Sequence, residues 1–331
     1  MHAIPIMLCA AFLWSLYPLF IALAEGHIGA ALLVFVVHVS CGLAAGLFAY
    51  IKTKRKMNVW GNLIGVIKNL EFEHWLYLLL IGLVSTLYNF CFIYAMEVGS
   101  KVGTAIIIEG WPIIAIFLAP LLITKTWKKV TAIDYMAALV ALCGIALIMI
   151  EDFSQFNQLI TFEDNGKILG AMAALIGGIC LAASVVLSTE VSNVISRDIL
   201  KEKKPGLACA FWGEAIRRIM AFPVSIMFLF AFPEDGFIDA RGFGLAVFIG
   251  VVIFCIGSAA VTIALLRSSS STINMLYYVS PILAVLWLYL ADLGQITWPT
   301  VIGGILVILA NLVTLNKNRQ NHISKDAVKE S

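Results

Sequence analysis

Charge is what this sequence has least of. Only 13% of its 331 residues are charged, while 61% are hydrophobic. A soluble domain is about a quarter charged and about half apolar. That imbalance excludes an ordinary soluble domain and requires lipid against much of the surface. The formal net charge is +2, and no basic stripe lies along a polar face, so a nucleic-acid partner is excluded. Short-spaced cysteine motifs are missing too. Cys9, Cys41, Cys91, Cys143, Cys180, Cys209 and Cys255 all lie inside apolar runs. They read as small buried hydrophobes, with neither a zinc site nor a disulfide framework. No P-loop, HExxH or other catalytic signature occurs. The expectation is a non-enzyme without metal or cofactor, driven by a gradient or by nothing. The first apolar run has no basic segment before it and reads as a first span, not a signal peptide. The outer loops have no N-x-S/T acceptor, which fits a bacterial inner membrane.

What is present is long apolar runs. A span needs about 20 mostly apolar residues. Ten candidates follow, at roughly 3–23, 29–50, 74–96, 102–123, 131–150, 168–189, 208–231, 242–265, 271–291 and 298–315. Residues 316–331 are polar, lack periodicity and read as a disordered tail. Basic residues fix the orientation. Lys52, Lys54, Arg55, Lys56 and Lys68 fall in one set of loops, with Lys125, Lys128 and Lys129. Arg197, Lys201, Lys203, Lys204, Arg267 and the tail join them. The opposite set holds only Lys101, Lys167 and Arg241, and carries acids such as Glu25, Glu163 and Asp239. Both termini are therefore expected in the cytoplasm.

The run Ser100–Thr124, SKVGTAIIIEGWPIIAIFLAPLLIT, has a late near-copy in Ser269–Leu293, SSSTINMLYYVSPILAVLWLYLADL. Laying Pro112 on Pro281 puts Glu109 on Tyr278. A weaker alignment sets Phe35–His38 on Ala215–Arg218. Five spans per half is odd, so the halves must be inverted. Inverted repeats are a common secondary-transporter architecture, with the site near the midplane. The expected fold is all-α and integral to the membrane: ten helices in two inverted five-helix repeats, 1–150 and 168–315.

These residues resemble the drug/metabolite transporter superfamily, in its EamA-type branch. The opening AAFLWSLYPLF is similar to the family's first helix. Ala264–Val313 follows its pattern of small-residue junction, proline-bearing helix, leucine-rich end and glycine-bearing last helix. IYAMEVGSKVGTAIIIEGWPIIAIFLAPLL repeats that pattern in the first half. Two departures stand out: Gln295 follows Gly294 where the family often has Glu, and His38 stands where a basic residue is frequent. The resemblance implies a ten-helix bundle with a central cavity and alternating access. It also implies small solutes such as amino acids, related metabolites, nucleobases or drugs, often moved outward.

Polar groups inside apolar runs nominate the site. A mid-span ionisable group costs about 2.5–3.5 kcal/mol on insertion scales and usually faces a cavity. Glu109 is such a group. Pro112 leaves the carbonyl of Ile108 without its helical donor, and Pro281 does the same to Tyr277. Glu109 and Trp111 from one half, with Tyr277 and Tyr278 from the other, are the expected cavity lining. Two roles stay open for Glu109: binding a cationic or amino group, or carrying a proton. Trp14 and Tyr17 lie deep, and with Trp111, Tyr278 and Glu109 they form a candidate aromatic cage for an ammonium ion. Glu214, Arg217 and Arg218 share one helical face. Arg217 is read as a structural ion pair, snorkelling to the inner interface. Arg218 is kept as a candidate for a carboxylate or phosphate, and His38 as a proton shuttle or satisfied core histidine. Glu97 and Lys101, four apart, form a candidate pair at the outer mouth. The function expected is a secondary transporter exporting an amino acid or related metabolite, proton-coupled or facilitative. The alternatives are an organic-cation or drug transporter and, from another class, a non-transporting scaffold or receptor.

Overall fold

The computed structural model describes residues 3–53, 64, 72–119, 121–122, 132–149, 165–200, 206–233, 239–267, 276–277, 279–310 and 312–313. Among these there are helices and connections and no strand. The expected tail, the Ser-rich turn after Arg267, the basic groups around Lys54, Lys125 and Lys201, and Tyr278 lie outside the described residues.

Helix α1 runs Ala3–Ala24, α2 Ala30–Thr53 and α3 Phe72–Val98. α4 covers Lys101–Glu109, α5 Trp111–Ala119 and α6 Ala132–Met149. α7 is Asn165–Val194 and ends in a wide turn at Ile195–Ile199. α8 is Leu207–Ala231 and α9 Ala240–Arg267. Within α9, Ile249–Gly257 winds as a π-helix, a form that is rare at this length and frequent near functional sites. α10 is Val279–Leu290 and α11 Trp298–Ala310.

Five of these helices are long and apolar enough to cross a membrane: α1, α2, α3, α7 and α9. The sequence suggests ten; the runs at 271–291 and 298–315 are described only in part, and two of the others differ for a structural reason. α8 spans 25 residues, about 37 Å, but carries Glu214, Arg217 and Arg218. The stretch expected as a fourth span is broken in two. Gly110 closes α4 with a tight bond to Ile107 O at 3.1 Å, and α5 restarts at Trp111. The weak turn expected from Pro112 is thus a break one residue before Trp111. Local signals also set the ends. Ser100 caps α4 by accepting from Gly103 N, and Asp239 caps α9 by accepting from Gly242 N. Gly26, at φ 77°, ends α1 in the left-handed region.

Lipid-type surface faces outward. Leu43, Leu79, Met227 and Phe230 are exposed. The buried faces hold His38, Asn89, Glu109, Glu214, Arg217, Arg218 and many serines. Helices pack closely where side chains vanish. A Cβ on Gly82 of α3 would lie 2.2 Å from Met220 O of α8. One on Gly250 of α9 would lie 2.7 Å from Val37 O of α2. Small residues at such crossings are the usual device of membrane helices. α2 packs along α8, and α3 along α7 and α8. α1 packs against α9 and α10, α2 against α9, α4 and α5 against α7, and α4 against α10.

Candidate functional site

The centre holds a polar network built from six helices. Glu214 of α8 is its hub. Arg217, one turn on, binds it through Nη2, at 2.7 Å from Oε1 and 2.6 Å from Oε2. Arg218 donates to Oε1 from Nε at 2.8 Å, with Nη2 at 2.6 Å. The spacing of three and four residues brings all three side chains to one face. Arg217 and Arg218 are 6% and 2% exposed, so neither snorkels. The shared carboxylate holds both inside.

Geometry fixes the protonation of the neighbours. Asn89 Nδ2 of α3 donates to Ser85 O at 2.7 Å, which sets the orientation of the amide. Its Oδ1 accepts from the Tyr17 hydroxyl of α1 at 2.8 Å, so Tyr17 keeps its proton. Its Nδ2 also meets His38 Nε2 of α2 at 3.2 Å, and Arg218 Nη1 lies 3.5 Å from that same nitrogen. Both are donors, so Nε2 accepts and the neutral imidazole carries its hydrogen on Nδ1. Cys41 Sγ donates to Glu214 Oε1 at 3.4 Å and is a thiol. Two guanidinium groups therefore share one carboxylate, and the network carries one net positive charge. The Arg218 guanidinium also sits 4.6 Å over the Phe254 ring in the π-helical stretch of α9, a cation–π contact that partly offsets desolvation.

A cavity opens beside Arg217. Trp14 of α1, Trp111 at the start of α5, and Tyr277 just before α10 form its aromatic wall. Ser188 and Thr189 of α7 and Ser258 and Thr262 of α9 add hydroxyls. Its free volume is about 30 Å³, room for about two waters. Any larger solute requires side chains to part. Trp111 and Tyr277 meet edge to face at 5.7 Å.

The residues singled out from sequence divide into groups. Trp14, Trp111 and Tyr277 line the cavity together. Tyr17, His38 and Arg218 belong to the network behind it. Tyr17 packs in an aromatic cluster with Trp14, Phe92 and Phe254 rather than on the cavity. Glu109 is buried beside Ser280 of α10 and is not part of the cavity lining; its Oε2 makes no hydrogen bond of normal geometry. Tyr278 lies outside the described residues. The charged group that lines the cavity is Arg217, read from sequence as a structural partner. A cation beside the aromatic wall disfavours the ammonium cage. Sequence reading passed over Asn89, Ser184 and Ser258; only polarity inside an apolar run marks them.

A second polar set ties the connection after α1 to two other helices. His27 Nδ1 lies 2.6 Å from Asp239 Oδ2. Lys101 pairs with Glu25, a partner not expected from the Glu97 spacing. The amide of Gly242 and the ring of His27 hold the Asp239 carboxyl below its usual range.

Residues 1–150 match the model of the EamA-like transporter family. The match covers somewhat less than half of the 331 residues. The EamA-like match and the long apolar helices fit a multi-pass membrane protein of the drug/metabolite transporter type. One solved structure, described as "Crystal structure of protein", aligns with a TM-score of 0.61 and 17% identity. The alignment covers 96% of this chain and 98% of that chain, so the likeness of fold extends through both EamA-like and remaining residues. No curated protein matches the sequence.

Proposed function

We propose that the protein is a secondary transporter that moves a small organic solute, of the amino-acid or related-metabolite class, by alternating access. The working parts are two halves of opposite orientation, 1–150 and 168–315. The observation that carries the reading is the cavity beside Arg217. It draws α1 and α5 from one half and α7, α8, α9 and Tyr277 from the other. A site shared by both halves is one that their relative motion can open to either side.

Helix neighbours support the inverted repeat. Exchanging the halves carries α1, α2, α3 and α4–α5 onto α7, α8, α9 and α10. Under that exchange the α3–α7 contact becomes α9–α1, and α3–α8 becomes α9–α2. The α5–α7 contact becomes α10–α1, and α2–α8 and α4–α10 map onto themselves. His38 and Arg218, matched by the sequence alignment, approach to 3.5 Å. Equivalent residues meet in this way on a two-fold axis. The family match over 1–150 supports the division of the chain at that point.

The proposed setting is a bacterial inner membrane with both termini in the cytoplasm, from the bias of basic residues. Proton coupling is proposed through Glu109, a buried carboxyl group whose Oε2 makes no hydrogen bond of normal geometry. The test is flux: purified protein in liposomes, loaded with amino acids, organic acids, quaternary amines and nucleobases. At least one solute is expected to cross faster than in protein-free liposomes. No flux across the whole panel would favour the non-transporting scaffold.

A further inference from the structure

We infer that Arg217 is the anchor of a carboxylate subsite, and that the solute carries one negative charge to it. This rests on the transport reading for its meaning, though not for its geometry. Three observations carry it. The first is charge. Glu214 is the ion partner of both Arg217 and Arg218 among the described residues, and His38, Tyr17 and Cys41 are held neutral by their hydrogen bonds. Within this network one positive charge is left over. A buried charge without a partner is costly. One monoanion balances it; a dianion overshoots.

The second is donor capacity. Arg217 is 6% exposed, and its Nε makes no hydrogen bond. Nη1 reaches Ser184 Oγ only at 3.4 Å, and Nη2, already committed to Glu214, lies 3.3 Å from Ser258 Oγ. A guanidinium has five N–H donors, so this one keeps donors to spare on a group that lines a cavity. The planar guanidinium suits a carboxylate in a way that a lysine ammonium does not. The third is the wall opposite. Trp14, Trp111 and Tyr277 supply aromatic faces, with Leu181 and Val261 beside them. The complementary ligand is an amphipathic monocarboxylate: its charged end on Arg217, its apolar end against the rings.

The test uses purified full-length protein and thermal unfolding with benzoate, phenylacetate and propionate. Each is paired with its neutral amide, and inorganic phosphate and tetraethylammonium are run alongside. At least one carboxylate is expected to raise Tm while its amide does not. Arg217→Gln removes the excess charge and leaves Glu214 balanced by Arg218. Its Tm without ligand is expected close to wild type, and its carboxylate affinity weaker by about thirtyfold or more, as for truncation of a buried charged partner. Arg217→Lys, which keeps the charge, is expected to show an intermediate loss and serves if the Gln variant fails to fold. An equal Tm shift in wild type and the folded variant overturns the inference. So does a panel in which no carboxylate binds, or in which amides, phosphate or tetraethylammonium do as well. The transport reading fails separately. Arg217-dependent carboxylate binding without any solute flux leaves the subsite standing and removes the transporter. Solute flux that Arg217→Gln does not alter does the reverse.

Discussion

At the scale of residues, the centre of the molecule is a charge problem shared among three side chains. Glu214 answers two guanidinium groups, and each is nine-tenths or more buried. Removing the one acid is therefore unlike removing one of the bases. Glu214→Gln leaves two buried cations unanswered and is expected to cost about 3–5 kcal/mol. Arg217→Gln leaves a balanced pair and is expected to cost far less. Thermal unfolding of the two variants side by side checks this; equal losses would contradict the charge count. Part of the site was legible in the sequence. Glu109, His38, Arg217 and Arg218 stand out because ionisable groups are rare in apolar runs. Their roles were less legible. Depth along a helix can be counted from sequence, but the direction a side chain faces depends on which helices surround it. Arg217 and Arg218 are adjacent, yet only Arg217 reaches the cavity. Asn89 and Ser258 were invisible for another reason: small polar residues are common in membrane helices, and only tertiary approach shows which ones join a network.

At the scale of elements, breaks and close crossings matter more than helix propensity. The interruption at Gly110 was foreshadowed by Pro112, which cannot donate to Ile108 O. Its position was not, because Gly110 takes the turn instead and bonds to Ile107 O. The π-helical stretch Ile249–Gly257 had no sequence signal at all. It packs against α2, where Gly250 lies close to the Val37 carbonyl. The crossing of α3 and α8 is equally tight. Gly82→Ala forces a methyl to within 2.2 Å of the Met220 carbonyl oxygen unless the helices separate. A loss of about 1–3 kcal/mol is expected, read as a lower Tm; an unchanged Tm would mean that the crossing is loose. The Asp239 cap adds a pH dependence. Its carboxyl titrates lower in the folded chain than in the unfolded one, because Gly242 N–H and His27 bind the charged form. The stability it contributes is therefore present above the ordinary Asp pKa of about 3.9 and is lost as pH falls through the lower, folded value. Asp239→Ala is expected to lower Tm at pH 7 and 5 alike, with the gap to wild type closing towards pH 3. A gap that widens with acid would contradict this.

At the scale of the whole molecule, the sequence speaks most clearly through repetition and charge bias. Pro112 on Pro281 and His38 on Arg218 were readable as alignments, and the second pair touches in the folded chain. Contacts between helices far apart in sequence, such as α1 with α10, were not readable, since apolar faces carry little information about which partner they choose. The proposed inverted arrangement predicts a sidedness pattern. Single cysteines placed at Lys101 and Asp239, in a chain lacking its native cysteines, are expected to react with an impermeant maleimide from the outside of intact cells. Cysteines at Lys52, Arg197 and Arg267 are expected to react only after the membrane is opened. A mixed pattern would break the topology and the repeat together.

Alternating access is the central claim, and counterflow tests it most directly. Proteoliposomes are loaded with an excess of an unlabelled solute that the protein binds, then diluted into a trace of the same solute with label. A carrier that exposes one site to each side in turn must concentrate the label inside for a time, above its outside level, and then release it. That overshoot is the predicted result. Label that rises only to equilibrium, or does not enter at all, would contradict the account.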